Sequence, residues 1–459
     1  MNKSQRTQQP GALLYKKAPL AVLPFAVCFS LFSAPVSAQN NSTQSANQSA
    51  IESALDRAAV ALSQEQNLKP ETVAALQALI NALRNERAKP ATTPTTTAVA
   101  TPAATAKLPS RFKMSGDVRL RHESSFGLDS QPSRHRERVR FRVGGTYQVS
   151  DQVTAGVRLS TGLRTDANSP HVTLGEVFHR MEASFDRLYL SYKPKGVPGL
   201  TATAGKFQHP FFVNPVYGEL VWDADVQPEG VVFNYSKAGK GSIERMDFTV
   251  GEYLLLEQAV QDSRSFVAQA ALHAKMGKKW KPSLALGYYR YGDLTPAGAG
   301  AILGENSGNA TVGAGPTLDF ASRFNIVNSI LALRRDRGSK KPLVFSAEYI
   351  KNLKANIPQD TGYALGAALG SNRKKGDWRH YYQWQNIGQD AVFSVVSQDD
   401  FLLQTNHRSH LLGTNYQVRD NIGFHLWALV SQRDRLGVTP TTDSSKHQWR
   451  LRFDTNVTF

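Results

Sequence analysis

Between Phe112 and Phe459 apolar and polar residues change places with a period of two, in sixteen segments whose connections are themselves sorted into short and long. Period two is the repeat of a β-strand, whose successive side chains point to opposite faces. The segments start near 112, 137, 152, 184, 199, 229, 244, 263, 282, 324, 342, 361, 378, 406, 421 and 447. Every second connection is short and rich in Gly, Pro or Lys: 149 to 153, 193 to 200, 236 to 244, 276 to 282, 335 to 342, 371 to 378 and 418 to 421. The intervening ones are mostly longer, for example 164 to 183, 207 to 228, 293 to 323, 389 to 405 and 433 to 446. Short turns at one end and long loops at the other mark an up-and-down barrel crossing an outer membrane, and a soluble barrel has no reason to sort its loops this way. The expected fold is therefore all-β: a transmembrane antiparallel β-barrel of about 16 strands over residues 112–459, with fourteen or eighteen strands also compatible.

The last segment is the most regular. Trp449, Leu451, Phe453, Thr455, Val457 and Phe459 fall on one face, and Arg450, Arg452, Asp454, Asn456 and Thr458 on the other. A strand of a soluble sandwich could alternate likewise, burying one face against a second sheet. Aromatics near both ends of the apolar face suit the interfacial girdles of a barrel instead. With Phe459 final, Trp449, Leu451, Phe453, Val457 and Phe459 resemble the signal read by the barrel insertion machinery, an expected partner along with outer-membrane lipid.

After residue 38 no apolar run approaches the roughly 20 residues of a spanning helix, as expected where lipid-facing and lumen-facing residues alternate. The first 38 residues carry Lys3, Arg6, Lys16 and Lys17, no acid, the apolar run 20–32 and then Val36, Ser37 and Ala38. That order predicts a signal peptide over 1–38. Cys28 lies within it with Val27 before it, where a lipoprotein would need a small residue, so the mature chain is expected without thiols. Residues 39–88 bring a helical period, with Ile51, Leu55, Ala58 and Leu62, then Val73, Leu76, Leu79, Ile80 and Leu83. Two readings of this periplasmic segment stand: a short coiled coil that associates in a trimer, or a helical tether. Residues 89–111 are a Pro/Thr/Ala linker.

The formal charge is +17, and removing the four cations of the leader leaves 17 − 4 = +13. Residues 39–111 hold seven cations and five acids, so the barrel keeps about 13 − 2 = +11. Nucleic acid is not the expected partner, since no zinc-finger spacing, RNP signature or basic helix is present. The basic residues are instead placed by period. Arg119 and Arg121 alternate with Val118 and Leu120; Arg138, Arg140 and Arg142 with Val139, Phe141 and Val143; and Arg158 sits between Val157 and Leu159. All six share the polar face, which in a barrel is the lumen wall, and would stack into a basic ladder. Like charges so close repel unless water, an anion or an acidic group offsets them. The alternative is a solvated outer face of a soluble sheet.

The expected acidic counterpart is the third long connection, 207–228. It carries Glu219, Asp223 and Asp225, with Glu229 just beyond, and the aromatics Phe211, Phe212, Tyr217 and Trp222. So many aromatics predict a loop that folds inward and packs on the wall, setting acids against arginines across a narrow gap.

Gly116-Asp-Val-Arg-Leu-Arg-His-Glu123, Gly156-Val-Arg-Leu-Ser-Thr-Gly162, Asp186-Arg-Leu-Tyr-Leu-Ser-Tyr192, Ala204-Gly-Lys-Phe-Gln-His-Pro-Phe211 and Leu220-Val-Trp-Asp-Ala-Asp-Val-Gln-Pro-Glu-Gly230 together resemble the putative porins of Gram-negative bacteria. The resemblance is specific from about 112 to 236 and thins toward the C-terminus. In that family an Arg or Lys stands where Lys206 does, and an Asn usually precedes the Pro, where this chain has His209. The resemblance implies a passive outer-membrane channel, with the N-terminal segment in the periplasm. Small hydrophilic solutes are its expected cargo, and the charge count favours anions.

Two other classes remain: a plugged barrel acting as a surface anchor or adhesin, and a barrel hydrolase. No GxSxG elbow marks a nucleophile, and no HExxH or Cys/His cluster marks a metal; His407 and His410, three apart on a strand, fall on opposite faces. No cofactor is expected. The Gly-rich stretch 296–316 lacks the ending of a phosphate loop and reads as a mobile extracellular loop. Lysines in the short turns, such as Lys193, Lys237, Lys278 and Lys374, would ring the periplasmic rim.

Overall fold

The computed structural model describes residues 111–127, 132–259, 261–294, 302–336, 341–434 and 446–459. The expected signal peptide, helical segment and nearly all of the linker lie outside the described residues.

Sixteen strands form the wall. They are β1 (Phe112–Phe126), β2 (Arg134–Gln148), β3 (Val153–Thr161), β4 (Ala183–Tyr192), β5 (Leu200–Lys206), β6 (Glu229–Ala238), β7 (Ile243–Leu256) and β8 (Ser263–Ala274). They continue with β9 (Trp280–Gly292), β10 (Phe324–Arg335), β11 (Leu343–Asn352), β12 (Thr361–Gly370), β13 (Trp378–Ile387), β14 (His407–Arg419), β15 (Ile422–Arg433) and β16 (His447–Thr458). Each pairs antiparallel with the next, and β1 pairs with β16 from Asp117↔Thr458 to Phe126↔Trp449, so the sheet closes on itself. Closure leaves no strand edge with unpaired amides, which a wall facing lipid requires. Short pairings at 172–173 and 311–312 lie within the long connections.

Burial alternates as the period requires. On β8, Ser263, Ser265 and Val267 are buried toward the lumen and Phe266 is exposed; on β16, Arg452 and Asp454 are buried while Leu451 and Phe453 are exposed. Exposed apolar side chains recur around the ring: Leu120, Phe141, Leu188, Phe233, Phe248, Leu284, Leu331, Phe345, Leu365, Leu412, Leu426 and Leu451. Water would penalise a belt of that extent, and hydrocarbon does not. No helix among the described residues is long and apolar enough to cross a membrane; the crossing is made by strands.

The buried apolar core lies inside the barrel, on one side. Tyr253, Val267, Tyr289, Ile326, Ile350 and Leu411 line the inner wall, and long connections fold in to cover them with Phe211, Leu220, Trp222, Phe320, Phe393 and Phe401. The stretch 302–323, expected as part of a mobile outer loop, is among these: Asn309 and Ala310 are buried, Asn309 Nδ2 donates to Val392 O at 2.8 Å, and Phe320 meets Phe393 edge-on at 5.7 Å. It reaches a partner that local composition does not show. The filled half confines the open lumen to a wall made by β15, β16 and β1–β4, with Tyr381 of β13 at its margin.

Candidate functional site: an arginine-lined lumen

On β1 the odd positions Asp117, Arg119, Arg121 and Glu123 carry their charges inward. On β2 the even positions from Arg136 to Arg142 do the same, and on β16 so do Arg450, Arg452 and Asp454. The strand registers bring these rows side by side, with Arg119 opposite Arg140 and Arg121 opposite both Arg138 and Asp454. Arg119, Arg121, Arg138, Arg140, Arg142 and Arg158 all line one cavity of about 510 Å³, joined by Arg187 and Arg452.

The ladder holds together because carboxylates are interleaved with it. Asp454 takes a two-pronged grip from Arg121, at 2.7 and 2.9 Å. Asp117 accepts from Arg140 at 2.6 Å and from Arg142 at 2.8 Å. Glu123 is fully buried, bonded to Arg136 and to Arg452 (2.6 Å), with Arg138 3.7 Å and Arg450 3.9 Å away. Such charge-assisted forks are what permit guanidinium groups to be packed at strand spacing. Trp427 on β15 adds a neutral face under two of them, 5.2 Å from Arg121 and 4.7 Å from Arg452.

Three arginines find mainly neutral acceptors. Arg119 donates to Asn456 Oδ1 at 2.7 Å, Arg138 to Ser169 Oγ at 2.9 Å and to His171 O at 3.2 Å, and Arg187 to Gln227 Oε1 at 2.8 Å. Arg187 escapes strict alternation. The pairing of β3 with β4 steps from Arg158↔Arg187 to Leu159↔Phe185, leaving Asp186 bulged. Phe185 and Leu188 are exposed outside, so the two residues between them both turn inward, where Asp186 grips Arg158 (2.9 Å from Nε) and Arg187 lines the cavity. The signal was available in the three-residue step between those apolar residues.

The connection 207–228 crosses the lumen to the far wall and returns. Phe212 exchanges two hydrogen bonds with Gln269 of β8 (2.7 and 2.9 Å), and Asn214 reaches Glu348 of β11 and Gln383 of β13. His209 stacks on Trp222 with ring centres 4.4 Å apart, and burial drives its pKa down to about 3, so it packs as a neutral ring. At the return, Asp225 meets Arg142 at 3.0 Å. Glu219 and Asp223 also line the cavity, but they lean on a second inward connection, 388–406: Asp223 N donates to Val396 O (2.8 Å) and Gln398 N to Glu219 O (3.0 Å). That connection adds Asp399 and Asp400, which sequence reading passed over; Asp400 binds Arg452 and accepts from Tyr217 Oη at 2.9 Å. Burial, reinforced by neighbouring carboxylates, pushes Glu219 and Asp223 well above the ordinary carboxylate range.

Glu229 stands apart from this group. It opens β6 in the outward phase of Val231 and Phe233, is exposed, and pairs with Lys206 at 2.6 Å. The five residues of the expected insertion signal lie on the outer face of β16 or just past it, with Trp449, Leu451, Phe453 and Phe459 exposed and Val457 half-buried.

A closed sixteen-stranded wall, apolar outside and charged within, defines a β-barrel of the outer membrane. Residues 127–299 match the family model described as putative porin. No curated protein matches it. Among solved structures it is similar to Pseudomonas putida OprB, with 11% identity and a TM-score of 0.49 over 76% of this chain and 94% of that one. It is also similar to Salmonella typhi OmpF (10%, 0.46, 76% and 97%) and to a loop-deleted OmpT of Vibrio cholerae (13%, 0.44, 76% and 100%).

Proposed function

We propose that this barrel passes small hydrophilic solutes by diffusion and prefers anions. The observation that carries the reading is the charge state of the cavity lining. Arg119, Arg138 and Arg187 face it with mainly neutral acceptors, while burial and neighbouring carboxylates push Glu219 and Asp223, the nearest surplus acids, well above the ordinary carboxylate range and so weaken their negative charge. The remaining field is positive, and a low-dielectric wall focuses it on a passing ion. Replacing Arg138, Arg140 and Arg142 together by Gln is expected to lower the chloride-to-potassium permeability ratio, read as a shift in reversal potential across a planar bilayer under a KCl gradient. An unchanged reversal potential would overturn the ladder as the source of preference.

A second reading, a plugged barrel serving as a surface anchor, draws support from the apolar packing of 207–228, 302–323 and 388–406 inside the lumen. Steady single-channel steps from the wild-type protein would sink it. The barrel over 112–459 is further proposed to follow a signal peptide cleaved after Ala38, a helical periplasmic segment that could join three barrels, and a linker. N-terminal sequencing of the protein from outer membranes should begin at Gln39, and any other start would revise the first boundary.

A further inference from the structure

On the outer face, where β13 to β16 approach their long connections, lies a second pocket of about 150 Å³ lined by Trp384, Arg408, His410, Gln432 and His447 among others. Two cross-strand rows build it. One runs Asn386↔Arg408↔Gln432↔His447 and the next Trp384↔His410↔Val430↔Trp449. Arg408, His410 and His447 are exposed, whereas His407, Ser409 and Leu411, which alternate with the first two on β14, are buried toward the lumen, so this guanidinium and these imidazoles face the membrane side of the wall.

The Arg408 guanidinium makes no hydrogen bond or ion pair among the described residues. His410 holds Tyr382 Oη through Nδ1 at 2.9 Å, and its Nε2 has no partner among them. One step further from the loops the outer rows become Leu412, Ala428 and Leu451, which belong to the apolar belt. A guanidinium and two imidazoles therefore border hydrocarbon, with Trp384 and Trp449 at the boundary. Aromatics of this kind sit at headgroup depth, and the end with long connections is the extracellular one.

We propose that this pocket binds the phosphate-bearing headgroup of an outer-leaflet glycolipid. Arg408 and the imidazoles of His410 and His447 donate to the phosphate, Trp384 lies against the sugar, and the acyl chains run down over Leu412 and Leu451. The adjoining apolar belt selects a lipid over a dissolved anion, because a free phosphate gains nothing from it.

The test uses the full chain in detergent, titrated with a bis-phosphorylated glucosamine lipid and with its dephosphorylated form, and read by native mass spectrometry. One retained lipid per barrel is expected, with retention about tenfold weaker for Arg408→Gln and for the dephosphorylated lipid, the loss of one charge-assisted contact. Equal retention by R408Q would overturn the proposal. So would displacement of the lipid by an equal concentration of inorganic phosphate, which would make the pocket a free-anion site. Arg408 lies outside the lumen, so an unchanged conductance of R408Q confirms its folding and keeps this test separate from the channel reading.

Discussion

Glu123 shows what a single residue does in a crowded field of charge. With no exposed surface, it touches Arg136 and Arg452 and lies within 4 Å of Arg138 and Arg450. Removing one partner of a buried ionic cluster leaves the others uncompensated, at a cost of about 3–5 kcal/mol. Glu123→Gln is therefore expected to lower the temperature at which the folded barrel loses its fast gel mobility. A variant melting with the wild type would mean that water, not Glu123, offsets these arginines. The arginines themselves were legible as a lumen row because period two sorts them whatever their partners. Their acids were equally legible in principle, since Asp117 and Glu123 occupy the same odd positions as Arg119 and Arg121. Arg187 was not, because a bulge at Asp186 breaks the alternation on which the sorting depends.

Among elements, the two inward connections form one electrostatic unit. The connection 207–228 announces itself by carrying many aromatics and acids in one stretch. The connection 388–406 does not, because its aromatics are few and its receiving surface, including Phe320 and Tyr291, comes from distant strands and loops. Together they set Asp399 beside Asp400 and Asp225, facing Arg450 and Arg452 of β16. Burial, and then the neighbouring Asp400, raises Asp399 to about 7 against the opposing pull of those arginines. Below that pH it is neutral, and above it the lumen gains a negative charge. The anion-to-cation permeability ratio is thus expected to fall as pH rises between about 6 and 8. Asp399→Asn should flatten the step near neutrality, read from reversal potentials at several pH values. A wild-type ratio constant over that window would show that Asp399 carries a fixed charge.

The whole molecule depends on one seam, where the first strand meets the last. Beyond the β1–β16 ladder, Gly116 N donates to Phe459 O at 2.8 Å and Phe459 N to Gly116 O at 3.0 Å, so Phe459 continues the closure. Its ring lies over Gly116 and stacks near Phe141, with centres 6.4 Å apart. A Cβ on Gly116 would stand 2.4 Å from that ring and 2.6 Å from the Arg142 carbonyl. Two obstacles of different kinds therefore guard one position: a side chain at the end of a strand, which can turn away, and a backbone oxygen fixed in the β1–β2 ladder, which cannot. Overpacking of this kind typically costs about 1–3 kcal/mol. Gly116→Ala is expected to lower the melting temperature of the folded form on unboiled gels. Adding Phe459→Ala should recover only part of the loss, because the carbonyl clash remains. Full recovery in the double variant would assign the strain to the ring alone, and no loss in G116A would mean that the seam has slack. The sixteen strand starts were readable to within about three residues because alternation and turn chemistry are local. The tightness of the seam was not, since it joins positions at opposite ends of the barrel sequence and exists only once all the intervening strands have turned through a full circle.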